Sequence, residues 1–401
     1  MDQSLGVYIS VPFCKAKCSY CNFASGVFGA ARMERYVDGV CAEIGAARGR
    51  VAAMDAQLAR PVDTVFLGGG TPSLLGAEQV RRLFAAPRGA FDVHPDAEIT
   101  LECAPGQLSE ETLDEMLRQG LNRVSFGVQS FIDAEAKAVG RLHTRAICLA
   151  EIARLRGAGV ANINVDLIAG LPGQTERSWR ESVEVAIASG VPHASVYMLE
   201  VDEDSRLGRE ILAVGPRYGA GVAPSEDETA DRYASACEWL ETAGIAQYEI
   251  SNFARQGFAS RHNVKYWRRE PYVGFGLDAH SMLRSEEGAV RFANTSDLEA
   301  YLSSGLDAQD ASLEAGEAFE RIGREQAFEE TLFLGLRMNQ GVDLDHLRSE
   351  FGEGLVGYAA AALKDVEEAG LVEHAGNAIR LTARGRMASN EVFGRLLLAS
   401  V

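Results

Sequence analysis

Nowhere in the chain do about 18 apolar residues run together, so no bilayer-spanning helix is expected. Cations are in the minority: 39 Lys and Arg stand against 57 Asp and Glu, a formal net charge of −18. That balance argues against the broad basic face that nucleic acid requires, and no nucleic-acid partner is expected. It leaves room for a local basic pocket, because net charge bears on solubility more than on sites. Cysteine is sparse, seven in 401 residues, which excludes a disulfide scaffold. Apolar residues at 47% and charged residues at 24% exclude disorder as the dominant state and a collagen-like chain. The first residues have neither the basic stretch nor the long apolar core of a secretory signal. A cytoplasmic chain is therefore expected, with its cysteines read as thiols or metal ligands. No internal repeat and no low-complexity tract is visible.

What is present is an alternation. Short apolar runs at 7–11, 62–67, 98–102, 123–128, 163–168 and 194–199 read as buried strands. Amphipathic stretches lie between them, at 33–48, 77–84, 110–118, 147–156 and 175–188, and Ser109 followed by Glu110 and Glu111 reads as a helix start. Strand–helix alternation implies βαβ units and a parallel sheet, either open or curled into a partial barrel. The pattern then changes. Residues 207–226, with several Gly and Pro, read as a connecting loop, and a helix is expected over 225–243. An aromatic-rich segment, 248–275, and an acidic stretch, 307–320, follow. From about residue 325 the order is helix, helix and a short hairpin turning at Gly376-Asn377, which suggests a winged-helix-like module.

The sharpest signal is Cys14-Lys-Ala-Lys-Cys18-Ser-Tyr-Cys21, just after the first strand. Three thiols this close converge on one centre only if the backbone loops around it. Zinc and an iron–sulfur cluster each call for four ligands, and only three are local. Unrelated thiols, or a zinc knuckle with a distant fourth ligand, are the plain alternatives. A [4Fe–4S] cluster on three thiolates leaves one iron free to bind something else. Cys41, Cys103, Cys148 and Cys237 sit in apolar or helical contexts and read as core residues.

This Cys-x3-Cys-x2-Cys loop, with Gly68-Gly69-Gly70-Thr71-Pro72 after the second strand, resembles the radical S-adenosylmethionine (SAM) superfamily. The resemblance narrows to its HemN/HemW group, the oxygen-independent coproporphyrinogen III oxidases and related heme chaperones. It rests on Tyr8-Ile-Ser-Val-Pro-Phe-Cys14, Thr100-Leu-Glu102, Phe126-Gly-Val-Gln-Ser-Phe131, Gly140-Arg-Leu-His143 and Asp166-Leu-Ile-Ala-Gly-Leu-Pro172. It implies an α/β fold, a partial (β/α)6 TIM-like barrel followed by a mainly helical, winged-helix-like domain. It implies [4Fe–4S] ligation by Cys14, Cys18 and Cys21, with the free iron chelating SAM. Carried over by motif, Tyr8 lies beside the sulfonium and Tyr20 near the adenine. Gly69, Gly70 and Thr71 meet the amino end, and Glu102 faces the cofactor. Gln129 and Asp166 serve the ribose, and Arg141 pairs with the SAM carboxylate. Singly, each has a plain reading: strand-end caps for Glu102 and Asp166, a surface cation for Arg141, a loop hydrogen-bonder for Gln129.

Within the group, the oxidases carry a further Cys where this chain has Phe23, and a longer arm before the cluster loop. His262-Asn-Val-Lys-Tyr266-Trp267 matches the His-Asn-x-x-Tyr-Trp signature of the chaperones. Ser10 departs from the family, which often has His there. The resemblance thus implies a protein that binds heme and passes it to hemoproteins such as respiratory cytochrome-type enzymes, with transient contact at a membrane surface and no catalytic residue of its own. The alternative is a radical SAM enzyme that oxidatively decarboxylates porphyrinogen propionates. His262 would supply an imidazole for heme, Tyr266 and Trp267 flat faces, and Arg261, Lys265, Arg268 and Arg269 partners for propionates. His280 is a second candidate ligand and His143 a weaker one. From spacing alone, His262 is a hydrogen-bonded loop residue and the two aromatics are core. The expected division is a radical SAM core over 1–205, a connecting segment with the His-Asn motif over 206–320, and a C-terminal domain over 321–401.

Overall fold

The computed structural model describes residues 4–286, 288–304 and 319–396. The acidic stretch at 307–318 lies outside them. Six parallel strands form the centre: β1 (Leu5–Val11), β2 (Pro61–Gly69), β3 (Asp92–Cys103), β4 (Arg123–Gln129), β5 (Asn162–Ala169) and β6 (His193–Met198). They pair in that order, and β1 does not pair with β6, so the (β/α)6 barrel is partial. Helices α1 (Ala30–Ala53), α2 (Ala77–Ala90), α3 (Glu110–Arg118), α4 (Asp133–Ala138), α5 (Arg145–Gly157) and α6 (Glu176–Ala188) make the crossovers. Helices cover the strands, which accounts for near-continuous runs such as Leu5–Val11, buried at almost every position.

Local chemistry sets the helix starts. Ser109 Oγ accepts from Thr112 N at 3.1 Å, with Glu110 and Glu111 in the first turn where the helix dipole favours negative charge. Thr144, Thr175 and Ser225 cap α5, α6 and a later helix in the same way.

The stretch 207–226 is not the irregular loop its composition suggests. It holds α7 (Arg206–Leu212), capped by Ser205, and a 3-10 turn at Arg217–Val222. Its glycines and prolines punctuate these short turns of helix. Helix α8 (Glu226–Thr242) follows, then β7 (Ala246–Glu249) and β8 (Asn252–Ala254), with β8 antiparallel to β6. Helix α9 (Arg261–Trp267) leads to β9 (Tyr272–Phe275), which runs parallel to β1. Strands β10 (His280–Ser285), β11 (Gly288–Ala293) and β12 (Phe319–Ile322) continue that edge, with α10 (Leu298–Ser304) between the last two. The middle of the chain thus extends the central sheet on both sides.

The C-terminal unit runs α11 (Arg324–Leu336), β13 (Val342–Asp343), α12 (Leu344–Phe351), α13 (Glu353–Glu368), β14 (Val372–Ala375) and β15 (Ala378–Leu381), then α14 (Ala383–Met387) and α15 (Ser389–Leu396). Helix, strand, helix, helix and a hairpin turning at Gly376 (φ +64°) is the winged-helix order. Its core, around Phe328, Leu332, Leu347, Phe351 and Leu363, is distinct from the barrel core. Among the described residues, no helix is long and apolar enough to cross a membrane. Phe328 is 1% exposed, and Phe328→Ala should destabilise the C-terminal unit by about 3–5 kcal/mol in urea unfolding. A loss below about 1 kcal/mol would show that Phe328 is not a core anchor.

Candidate cofactor site

The strand C-terminal ends surround one cavity of about 350 Å³, within the usual size range of small-molecule sites. The loop after β1 brings Cys14, Cys18, Tyr20 and Cys21 to it, and the loop after β2 brings Gly69, Gly70 and Thr71. Glu102, Gln129, Asp166 and Arg141 complete the wall. The structure therefore gathers the expected cluster and SAM residues, apart from Tyr8, around one space.

Backbone proximity seats the cysteine loop. Gly70 N donates to Val11 O at 2.9 Å. A Cβ on Gly70 would stand 2.8 Å from Phe13 O, so only glycine permits this approach. Thr71 Oγ1 donates to Cys14 Sγ at 3.7 Å, and Arg141 Nη1 donates to Cys18 Sγ at 3.4 Å. Burial pushes the Cys21 thiol up. Among the described residues, no group of three or more His, Cys, Asp or Glu stands close enough to hold a single metal ion.

The charged wall is under-satisfied. Gln129 Oε1 and Arg141 Nε are buried without a hydrogen-bond partner, in a structure class where buried polar atoms normally have one. Gln129 also has φ +69°, at a register shift between β4 and β5. A non-glycine residue in that conformation carries backbone strain, which clusters at ligand sites. Glu102 Oε2 accepts from Gly69 N at 3.0 Å. Burial, and then the charge of Asp166, push the Glu102 carboxyl up to about 7. Burial pushes Asp166 up as well.

A second, smaller chamber of about 200 Å³ adjoins the first and shares Glu102, Ser125, Asp166 and Tyr197 with it. Tyr8, His262 and Tyr266 line this chamber. His262 is 1% exposed, and its Nδ1 lies 2.8 Å from Thr64 Oγ1 and its Nε2 2.8 Å from the Tyr266 hydroxyl. Its ring stacks on Phe66 at 5.2 Å, and burial holds it neutral, with a pKa of about 3. Glu98 fixes the start of α9 by accepting from both Arg261 N and His262 N at 3.0 Å. Trp267 is not brought to either chamber; the Arg337 guanidinium lies 4.3 Å from its ring centroid. Lys265 is buried against Asp63 at 2.8 Å and Glu270 at 3.2 Å, and Arg269 against Glu330 at 2.9 Å. These two cations are thus neutralised within the fold rather than gathered for propionates. As folded, the segment presents no open heme slot, and the hydrogen-bonded reading of His262 describes its geometry. His280 is exposed, and His143 is buried with Nε2 3.1 Å from Val128 O.

Sequence reasoning missed Arg123, Ser125, Asn164 and Ser195. Asn164 Nδ2 donates to Ser125 Oγ and to Asp166 Oδ1, each at 2.7 Å, orienting the carboxylate. The signal was polar residues at every second position of β4 to β6 (Arg123 and Ser125, Asn164 and Asp166, His193 and Ser195), which is the inward face of a strand.

Residues 8–186 match the radical SAM superfamily and 322–388 the HemN C-terminal domain. The heme chaperone HemW of Bacillus subtilis is 33% identical over 97% of this chain and 98% of its own. The Mycobacterium tuberculosis heme chaperone HemW is 33% identical over 98% and 95%. The chain belongs to the HemW family of radical SAM proteins. Coproporphyrinogen III oxidase (HemN) from Escherichia coli, a radical SAM enzyme, superposes with a TM-score of 0.81 over 98% of this chain and 90% of its own, at 23% identity. That likeness is one of fold, and it covers the barrel and the C-terminal unit of this chain alike.

The Glu102 carboxyl has a pH signature. Folded, it keeps its proton to about pH 7; unfolded, it releases it near 4.5. The folded state therefore binds more protons between these values, and stability falls as pH rises from about 4.5 to about 7. The loss amounts to about 3 kcal/mol. Glu102→Gln in the cofactor-free chain should remove that part of the slope in denaturant unfolding across this window. An unchanged slope would place the raised carboxyl elsewhere.

Proposed function

We propose that the chain is a cytoplasmic heme chaperone, binding heme and delivering it to hemoproteins such as respiratory cytochrome-type enzymes. It would hold a [4Fe–4S] cluster on Cys14, Cys18 and Cys21, and SAM in the cavity beside them. One observation carries this reading: end-to-end similarity to proteins named heme chaperone HemW, supported by a cavity lined by Cys14, Cys18 and Cys21 together with the residues expected to meet SAM other than Tyr8.

The donor set suits these groups. When bound, a cluster and SAM supply one-electron chemistry. Arg141, already donating toward Cys18, has an unused Nε for a carboxylate. Glu102, ionised above about pH 7, and Asp166 offer carboxylate oxygens to an ammonium or sulfonium. Gly69 and Gly70 allow backbone to approach a ligand, and Gln129 Oε1 awaits a hydroxyl donor. Tyr20 offers a flat face. Cys18→Ser should abolish iron loading on anaerobic reconstitution; retained occupancy would mean that other ligands hold the metal.

The neutral imidazole of His262 keeps a nitrogen lone pair available at any pH above about 3. Heme ligation there requires Tyr266 to release Nε2, so this segment would open to receive heme, with Tyr266 and Trp267 as candidate faces. In hemin titration, the Soret band should weaken in His262→Ala; an unchanged band would move the site elsewhere, with exposed His280 next in line.

A second reading, oxidative decarboxylation of porphyrinogen propionates, is favoured by the completeness of the SAM cavity. Turnover of coproporphyrinogen with SAM and reductant would overturn the chaperone reading in its favour.

A further inference from the structure

The smaller chamber has its own chemistry, independent of heme transfer. Arg123, the first residue of β4, is 2% exposed and lines it. Among the described residues, no carboxylate stands within ion-pair distance of its guanidinium, and its Nε has no hydrogen-bond partner. A buried cation without a partner is among the most unfavourable arrangements a fold can hold. Elsewhere in this protein buried cations are paired: Lys265 with Asp63, and Arg269 with Glu330.

The surroundings do not neutralise Arg123. Glu102 and Asp166 line the same chamber and feel its charge, but among the described residues neither carboxylate comes within ion-pair distance of the guanidinium. His193 and His262 are both held neutral, by burial first and with Arg123 contributing. Ser125, Asn164 and Ser195 are committed to one another and to Asp166 and Asn252. The chamber thus contains one guanidinium that no carboxylate reaches within ion-pair distance, although Glu102 and Asp166 are among its lining.

We propose that the Arg123 chamber is a binding site for a carboxylate, taken from a small organic acid or from the acidic arm of a larger molecule that enters through the cofactor cavity. A guanidinium presents two parallel N–H donors to a carboxylate, a match no other cation makes. The volume, about 200 Å³, is room for roughly six waters, enough for a short acid and too little for a macrocycle. Tyr8, Phe66 and Tyr266 contribute aromatic surface to the lining, apolar contact for a short aliphatic tail.

The test uses the reconstituted, SAM-loaded full-length chain and acetate labelled with ¹³C at the carboxyl, with acetamide as the uncharged isostere. Saturable line broadening with 1:1 stoichiometry is expected for acetate and none for acetamide. Arg123→Gln should weaken acetate at least tenfold, and Arg123→Lys less, because the charge stays and the fork is lost. Acetate and acetamide behaving alike, or acetate binding unchanged in a folded Arg123→Gln chain, would overturn the proposal. If Arg123→Gln does not fold, the acetate–acetamide contrast in the wild-type chain decides alone. Displacement of acetate by hemin, which carries two propionates, would assign the site to the acidic arm of a larger molecule; no displacement would assign it to a small acid.

Discussion

Unpaired charge inside a barrel is the constraint from which the rest of this molecule follows. Glu102, Asp166, Arg123 and Arg141 line two adjoining cavities at the strand ends, yet no ion pair joins any carboxylate of this set to either guanidinium among the described residues. Glu102 leans on a backbone amide, Asp166 on an asparagine and serines, and Arg141 on a carbonyl and a thiol. Such an arrangement is unfavourable in the empty protein and becomes favourable when a ligand carrying both signs of charge enters. The fold spends its apolar core and its covering helices on holding these groups apart.

Much of this was legible in the chain. The six parallel strands were visible as apolar runs, because helices bury their outer face and the barrel interior buries much of the other, so the alternation is weak in strands such as Leu5–Val11. Helix α3 was legible to its end residues, because Ser109 and the two glutamates behind it mark a start that physics allows few alternatives to. The cysteine loop and the glycine run were legible because they are contiguous. What escaped were the inward polar residues, Arg123, Ser125, Asn164 and Ser195. Each sits inside a run read as apolar, and Ser125, Asn164 and Ser195 find partners on neighbouring strands some 30 to 60 residues away.

The segment around α9 shows the limit more sharply. Its residues bear imidazole, ammonium, guanidinium and two flat rings, which in sequence look like a surface recognition element. In the fold, Glu98 and Asp63 from the barrel strands capture its amides and its lysine, and Glu330 from the C-terminal unit takes Arg269. β9 then pairs with β1, more than 260 residues earlier in the chain. No local pattern announces a partner at such separation. His262 and Tyr266 become part of the barrel interior, in a chamber that adjoins the larger cavity and shares Glu102 and Asp166 with it.

The central claim is that the separated charges are complemented by a zwitterionic cofactor at the mouth of the barrel. Calorimetric titration of the anaerobically reconstituted chain with SAM tests it most directly. One SAM per chain, with affinity reduced at least tenfold by Arg141→Gln, is the result this account predicts. Absent binding, or binding indifferent to Arg141, would contradict it.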